Sequence, residues 1–291
     1  MKVSGFTFLR NVHSLGYPFV ASIRSILPIV DEFVVALGPS HDDTEKLLRA
    51  MADPKIRILH TQWNERIQSD YSVKGFVYGQ QKSMALFNCT GDWAFYLEAD
   101  EVVHEQDLPR IQNAMERYLQ DERVEALAFD YIHFYGNVRT YAWSPRWYRT
   151  EARILRNTIP AWGPEGLFFI VLDSHKRGRY PRAAHTGAGI YHYGWVKTQA
   201  QLDLRKQQVG KYWTDKTPAR TILENVDPRT LRLFAGTHPK AVQDWLPPVA
   251  GQFQADPAYR LTARDKKHRL MLKLEQWFGL KFNKKHYRLV R

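Results

Sequence analysis

Through its first 130 residues the chain keeps changing period, a short apolar run suited to a strand giving way each time to apolar residues at helical spacing. VSGFTFL, residues 3 to 9, reads as a strand. PFVASIRSIL, with Pro18 near its start and Phe19, Ile23, Ile26 and Leu27 on one face, reads as a helix. EFVVAL is a second strand, DDTEKLLRAM a second helix capped by Asp42 or Asp43, KIRIL a third strand, FVYGQQKSMALFN a third helix and DWAFYL a fourth strand. Asp107 then caps LPRIQNAMERYL, and VEALAFDYI follows as a fifth strand. This order predicts an α/β fold with a largely parallel sheet and helices on both faces.

Beyond residue 131 the pattern loosens. Shorter strands are expected at ARILR, GLFFIVL and GIYHY and a helix at QAQLDLRKQQVGKYW, while the proline-rich stretch 214–259 reads as a wrap or lid. The division expected is a catalytic unit over 1–213, with halves 1–130 and 131–213, and an extension over 214–291 ending in a basic amphipathic helix.

Composition narrows the class. With 44% hydrophobic residues in 291 the chain can bury a sizeable core. No run approaches the roughly 18 to 20 apolar residues of a membrane-spanning helix, and MKVSGFTFLRN has no signal-peptide core, which points to the cytoplasm. The one cysteine, Cys89, excludes an internal disulfide and sits in an apolar helical stretch, so it reads as a buried structural thiol. The net charge of +12 is unevenly spread: residues 261–291 hold ten Lys or Arg against two acids, leaving only +4 to the rest. The basic character belongs to the tail.

Against that background YLEADEVVHE, residues 96–105, crowds Glu98, Asp100, Glu101 and Glu105 just past an apolar run. Close carboxylates repel unless a cation sits among them. In an extended chain Glu98 and Asp100, two residues apart, point into one cleft beyond a strand's carboxyl end, where α/β sheets bind ligands. Hard oxygen ligands suit Mg²⁺ or Mn²⁺. A solvated loop capping the next helix is the plain alternative. GFVYGQQKS has the look of a phosphate loop, but Gly75, Gly79 and Lys82 are wrongly spaced for one.

The order of RN after the first strand, PIVDEFVVALGPSHDDT, KIRIL followed by a Trp, GQQKSMAL and GDWAFYLEADEVVHE resembles the family 2 glycosyltransferases over about residues 3 to 130, with weaker echoes to about 200. The resemblance implies a GT-A fold, a nucleotide-sugar-binding α/β sandwich, here with a helical C-terminal extension. It places EAD at the DxD-type motif, so that Asp100 binds the metal and Glu98 faces the donor, and it puts Asp42 at the later Asp of the pattern after the second strand. Leu37 stands where a base-contacting Asp often does. Arg10, Asn11 and Lys82 are further donor-binding candidates, the two cations suiting a diphosphate. An inverting transfer needs a proton acceptor, for which Glu165 in WGPEG and Asp130 in FDY are the candidates. His192 in GIYHYGW is a metal ligand or a satisfied core residue, and Trp143, Trp147, Trp162 and Trp195 are sugar platforms or core.

The activity this implies is metal-dependent transfer of a sugar from a nucleoside diphosphate to a cell-surface glycan or lipid-linked precursor. Nucleotidyl transfer to a sugar phosphate is the rival enzyme class, though FLRNVHSLGY lacks the Gly-rich basic loop that it needs. The tail invites a nucleic-acid reading as well, but no nucleic acid is the expected partner. Its segment RLMLKLEQWFG puts Leu270, Met271, Leu274, Trp277 and Phe278 at helical spacing among lysines, with Gly279 as a stop, so 261–291 either docks on the core or touches an anionic membrane.

Overall fold

The structure, a computed structural model, describes residues 1–67, 74–213, 222–249 and 251–290. Its strands are β1 (Val3–Leu9), β2 (Glu32–Leu37), β3 (Ile56–His60), β4 (Trp93–Tyr96), β5 (Glu101–Val103), β6 (Ala126–Tyr135), β7 (Asn137–Ala142), β8 (Thr150–Arg156), β9 (Ala161–Trp162), β10 (Ile170–Leu172), β11 (Gly178–Arg179), β12 (Arg182–Trp195), β13 (Leu231–Leu233) and β14 (Arg288–Leu289). The helices are α1 (Phe19–Ile26), α2 (Thr44–Ala50), α3 (Phe76–Leu86), α4 (Leu108–Tyr118), α5 (Gln199–Val209) and α6 (Ala263–Phe278). The alternation expected over the first 130 residues is present.

β1 lies between parallel β2 and β4, and β3 pairs parallel with the outer edge of β2. Antiparallel β8 joins β4 to β6, and β12 runs parallel along the other edge of β6. Apolar side chains on both faces of the central strands need cover. Ile23 and Ile26 of α1, Leu48 of α2 and Ile111 and Met115 of α4 close one face over Phe33, Leu37 and Phe95. Ala85 and Leu86 of α3 pack on the other with Phe6, Tyr96 and Phe169. Cys89 is buried in that second layer, where burial pushes its thiol up to about 12.

Several local expectations need correcting. Glu98 to Asp100 is not extended: the N–H of Glu101 donates to the carbonyl of Glu98 at 3.0 Å, closing a turn that the short strand β5 follows. Asp43 occupies the cap position of α2 without a side-chain bond, whereas Asp42 accepts from the N–H of Thr44 at 3.0 Å. Asp107 precedes α4, but its carboxylate turns away to the N–H of Gly189 at 3.0 Å and to Arg110. Of the stretch read as a wrap, residues 214–221 and 250 lie outside the described residues. The remainder supplies β13, paired with β7, while β14 brings the tail back to β12.

Candidate active site

A cleft opens beyond the carboxyl ends of β1 and β4, lined by Arg10, Glu98 and Asp100, by His192 of β12 and by Arg205 of α5. Its apolar walls are Phe8, Tyr17, Trp63, Tyr78, Tyr96 and Trp213. Among the described residues, Tyr96 Oη and Trp63 Nε1 find no hydrogen-bond partner, though both are buried in that lining. The four expected tryptophans are elsewhere: Trp147 and Trp195 pack edge to face in a cluster with Tyr135, Trp143 lies under Arg149 and Arg232, and Trp162 is in β9.

The acidic turn is partly neutralised from below. Glu101, wholly buried, accepts from Arg153 Nε at 2.9 Å and Nη2 at 2.8 Å, from Tyr131 Oη at 2.8 Å and from the N–H of Glu98 at 3.0 Å. Burial opposes its charge, yet Arg153 holds its carboxyl below the usual range. Glu98 is only 3.3 Å from the same guanidinium, and burial followed by Glu101 pushes it up to about 8. Burial and Glu101 raise Asp100 as well. One arginine thus serves two acids, and the third carboxylate faces the cleft without it.

Beside Asp100 a chain of hydrogen bonds fixes a histidine tautomer. His133 Nε2 lies 2.6 Å from the carbonyl of Tyr148, which can only accept, so this nitrogen carries the proton. Burial pushes His133 down to about 3 and His192 down to about 4, leaving both rings neutral. The bare Nδ1 of His133 therefore accepts from Nδ1 of His192 at 3.1 Å, and Nε2 of His192 is left with a lone pair. That atom is 3.6 Å from Asp100 Oδ2. Gly194 makes room for the pair, since a Cβ there would stand 2.5 Å from Asp100 Oδ2 and 2.7 Å from His192 Cε1. Two lone-pair groups so placed suit a cation between them.

The cleft also holds two guanidinium groups. Arg205 stacks on Trp195 at 5.2 Å, and no carboxylate among the described residues forms an ion pair with it. Arg10 is more occupied, donating to Glu65, to Tyr212 Oη at 2.9 Å and to the carbonyl of Pro39 at 3.2 Å. Lys197 sits behind Asp100, bonded to the carbonyl of Leu15 at 2.6 Å and 3.7 Å from the Tyr17 ring, and burial brings its pKa down to about 7.

The remaining predicted residues are placed differently. Asn11, at φ 51°, accepts from the N–H of His41 at 2.8 Å, and Asp42 accepts from the N–H of Ser14 at 2.8 Å, so both brace the loops after β1 and β2. Leu37 is buried in the core. Lys82 is not in the cleft lining: its ammonium is buried, bonded to the carbonyls of Gly166 at 2.9 Å and Phe168 at 2.8 Å and 3.7 Å from the Phe169 ring. Gly79, one turn earlier, lets α3 approach the same loop, because a Cβ there would be 2.5 Å from the carbonyl oxygen of Gly163. The glycines and lysine that mimic a phosphate loop hold residues 163–169 in place. Glu165 is half-buried in that loop beside Gly75, and its neighbours Gly166 and Leu167 line the cleft; burial raises its carboxyl. Asp130 is exposed in a separate hollow with Arg149 and Lys281, 3.4 Å from His185 Nε2, and is not brought to the cleft.

Sequence reasoning missed Arg153, His133, Lys197 and Arg205. One carried a signal: Arg153 stands inside the apolar run of EARILR, where an unpaired charge would be costly. His133 meets His192 only through the register of β6 and β12.

The glycosyl transferase family 2 profile matches residues 17–170. No curated protein sequence matches. Among solved structures, glucosyl-3-phosphoglycerate synthase from Mycobacterium tuberculosis, in complex with Mn²⁺, UDP and phosphoglyceric acid, aligns at 22% identity over 45% of this chain and 43% of that one, TM-score 0.32. S. aureus TarS aligns at 18% identity over 48% and 23%, TM-score 0.33, and its 1–349 fragment with UDP-GlcNAc at 19% over 48% and 36%, TM-score 0.33. The chain spans less than half the length of each of these structures.

Proposed function

Because the chain belongs to glycosyl transferase family 2, we propose that it moves a sugar from a nucleoside-diphosphate donor to a hydroxyl group of a glycan or lipid-linked acceptor, with inversion. The GT-A-type sheet supplies the place, the cleft beyond β1 and β4. The observation that carries the reading is Asp100 Oδ2 facing the bare Nε2 of His192 in a cleft that also holds Arg205, which forms no ion pair among the described residues.

A divalent cation fits these residues. Among the described residues no cluster of three or more His, Cys, Asp or Glu forms a closed metal cage. An open pair is nonetheless what Mg²⁺ or Mn²⁺ uses when donor phosphates and water fill its other positions. Asp100 and His192 would hold the ion, which would draw off charge from the diphosphate. Arg205, helped by Arg10, binds the diphosphate and offsets the charge that grows on it as its bond to the anomeric carbon breaks. The acceptor oxygen forms the new bond to that carbon and loses its proton to Glu165, whose loop borders the cleft. Leu37 gives no base contact, so the nucleobase is read by other groups.

A thermal-shift screen of nucleoside diphosphates with and without Mn²⁺ tests this. A ligand bound only by the native protein raises Tm with its concentration. At least one nucleotide should do so in a Mn²⁺-dependent way that Asp100→Asn abolishes. A Mn²⁺-dependent shift unchanged in that variant, or no shift with any nucleotide, overturns the proposal.

A further inference from the structure

α6 is held to the protein by polar contacts. Arg269 donates to the buried Asp227 through Nε and Nη2, each 2.6 Å from an oxygen, and Glu275 accepts from Arg149 at 2.9 and 3.0 Å. A capping box between Thr262 and Asp265 starts the helix and Gly279, at φ 65°, ends it. No residue of α6 is buried. The stripe expected from the sequence is split: Met271 and Leu274 are partly covered, whereas Leu270 is 56% exposed and Trp277 and Phe278 67%; Leu280, just beyond the stripe, is 49% exposed.

Lys266, Leu270, Lys273 and Trp277 fall at intervals of four, three and four residues, which puts them on one helical face. That face is turned to solvent, opposite the partly covered His268, Met271, Leu272 and Glu275. Phe278 closes the helix and Leu280 extends the apolar patch past its end, and Lys281, Lys284 and Lys285 follow directly. Scattered exposed apolar residues mean little, but four large ones within eleven residues, ringed by lysines, form a patch.

We propose that this patch seats the protein on an anionic membrane surface, with Trp277, Phe278, Leu280 and Leu270 entering the interfacial layer and the lysines among the lipid headgroups. The interface accepts both halves of the pattern, as apolar rings lie below the headgroups while long lysine stems reach outward. A second copy of the chain would bring two +8 tails together. A nucleic acid would match the lysines but leave the aliphatic side chains in water. The attraction between these lysines and anionic headgroups is weakened by salt.

Co-sedimentation of the full chain with vesicles of phosphatidylglycerol and phosphatidylcholine, against pure phosphatidylcholine, tests it. Wild type should pellet with the anionic vesicles alone. W277S/F278S and K273E/K281E should each lose binding at least tenfold, with Tm unchanged because the substituted side chains are exposed. Failure of wild type to pellet overturns the proposal. So does undiminished binding by W277S/F278S, elution of wild type as a dimer that W277S/F278S dissociates, or DNA binding that this variant leaves intact while vesicle binding is absent.

Discussion

Glu101 and Arg153 meet through two hydrogen bonds of 2.9 and 2.8 Å with neither side chain reaching solvent. The pair sits directly under the cleft, and the same guanidinium reaches Glu98 at 3.3 Å. A paired buried charge contributes little net stability, but removing one partner leaves the other uncompensated. Arg153→Met should therefore lower unfolding free energy by about 3–5 kcal/mol, measured by urea titration, while Arg153→Met with Glu101→Leu recovers a large part of that loss. Equal losses in the single and double variants would mean that the shape of the arginine, not its charge, matters here.

The His133 to His192 bond makes a second prediction. His133→Phe keeps a ring but removes the acceptor for His192 Nδ1–H, so the proton of His192 is free to move to Nε2, the atom facing Asp100. Loss of such an orienting partner commonly costs 10 to 100-fold in metal affinity. Mn²⁺ titration followed by electron paramagnetic resonance, in the presence of the nucleotide, should show that weakening. Nitrogen chemical shifts of His192 should report the change of tautomer, which a merely structural role for His133 would leave unaltered.

Acid stability offers a test away from the cleft. Burial disfavours the Glu32 carboxylate, but the Ser4 hydroxyl, the Thr90 hydroxyl and the Thr90 N–H, each at 2.7 Å, together with Arg57, bring its pKa down to about 2. A depressed folded value means that the unfolded chain binds the proton more readily. This stabilising contribution is present above the ordinary value of 4.5 and is lost as pH falls towards 2. Between pH 6 and pH 3 the urea midpoint of Glu32→Gln should fall less than that of wild type; parallel declines would refute the assignment.

Much of the first 130 residues is legible because strands and helices there follow local periodicity, and EAD stands out as charge beside an apolar run. What escaped depends on pairing between distant segments. Arg205 lies in a mostly polar helix over a hundred residues beyond Asp100, and nothing in QLDLRKQQ distinguishes it from a solvated arginine until α5 is laid across the cleft. Lys82 misled for the opposite reason: a lysine on the third helix reads as a cation for the diphosphate, yet the chain folds carbonyls 166 and 168 around it. Long side chains declare their role only when their tertiary partners are known.

Glu165 sits in the loop that borders the cleft. Its loop is pinned by Lys82 and by Ser83, whose Oγ accepts from the N–H of Gly163 at 3.1 Å, so the carboxylate rides on a fixed support at the edge of the cleft. Burial raises its carboxyl, which moves it towards the range where a base shares protons readily with a hydroxyl in the transition state. Glu165→Gln keeps the size and removes the base. Sugar transfer should fall by roughly 10² to 10⁴-fold, while the nucleotide's Mn²⁺-dependent thermal shift stays within error, because Arg205, Asp100 and His192 are untouched. A loss of nucleotide binding in step with activity would make Glu165 a part of the donor site. Near-normal turnover would remove it from the mechanism, and a matching loss in Asp130→Asn would move the base to the far side of β6.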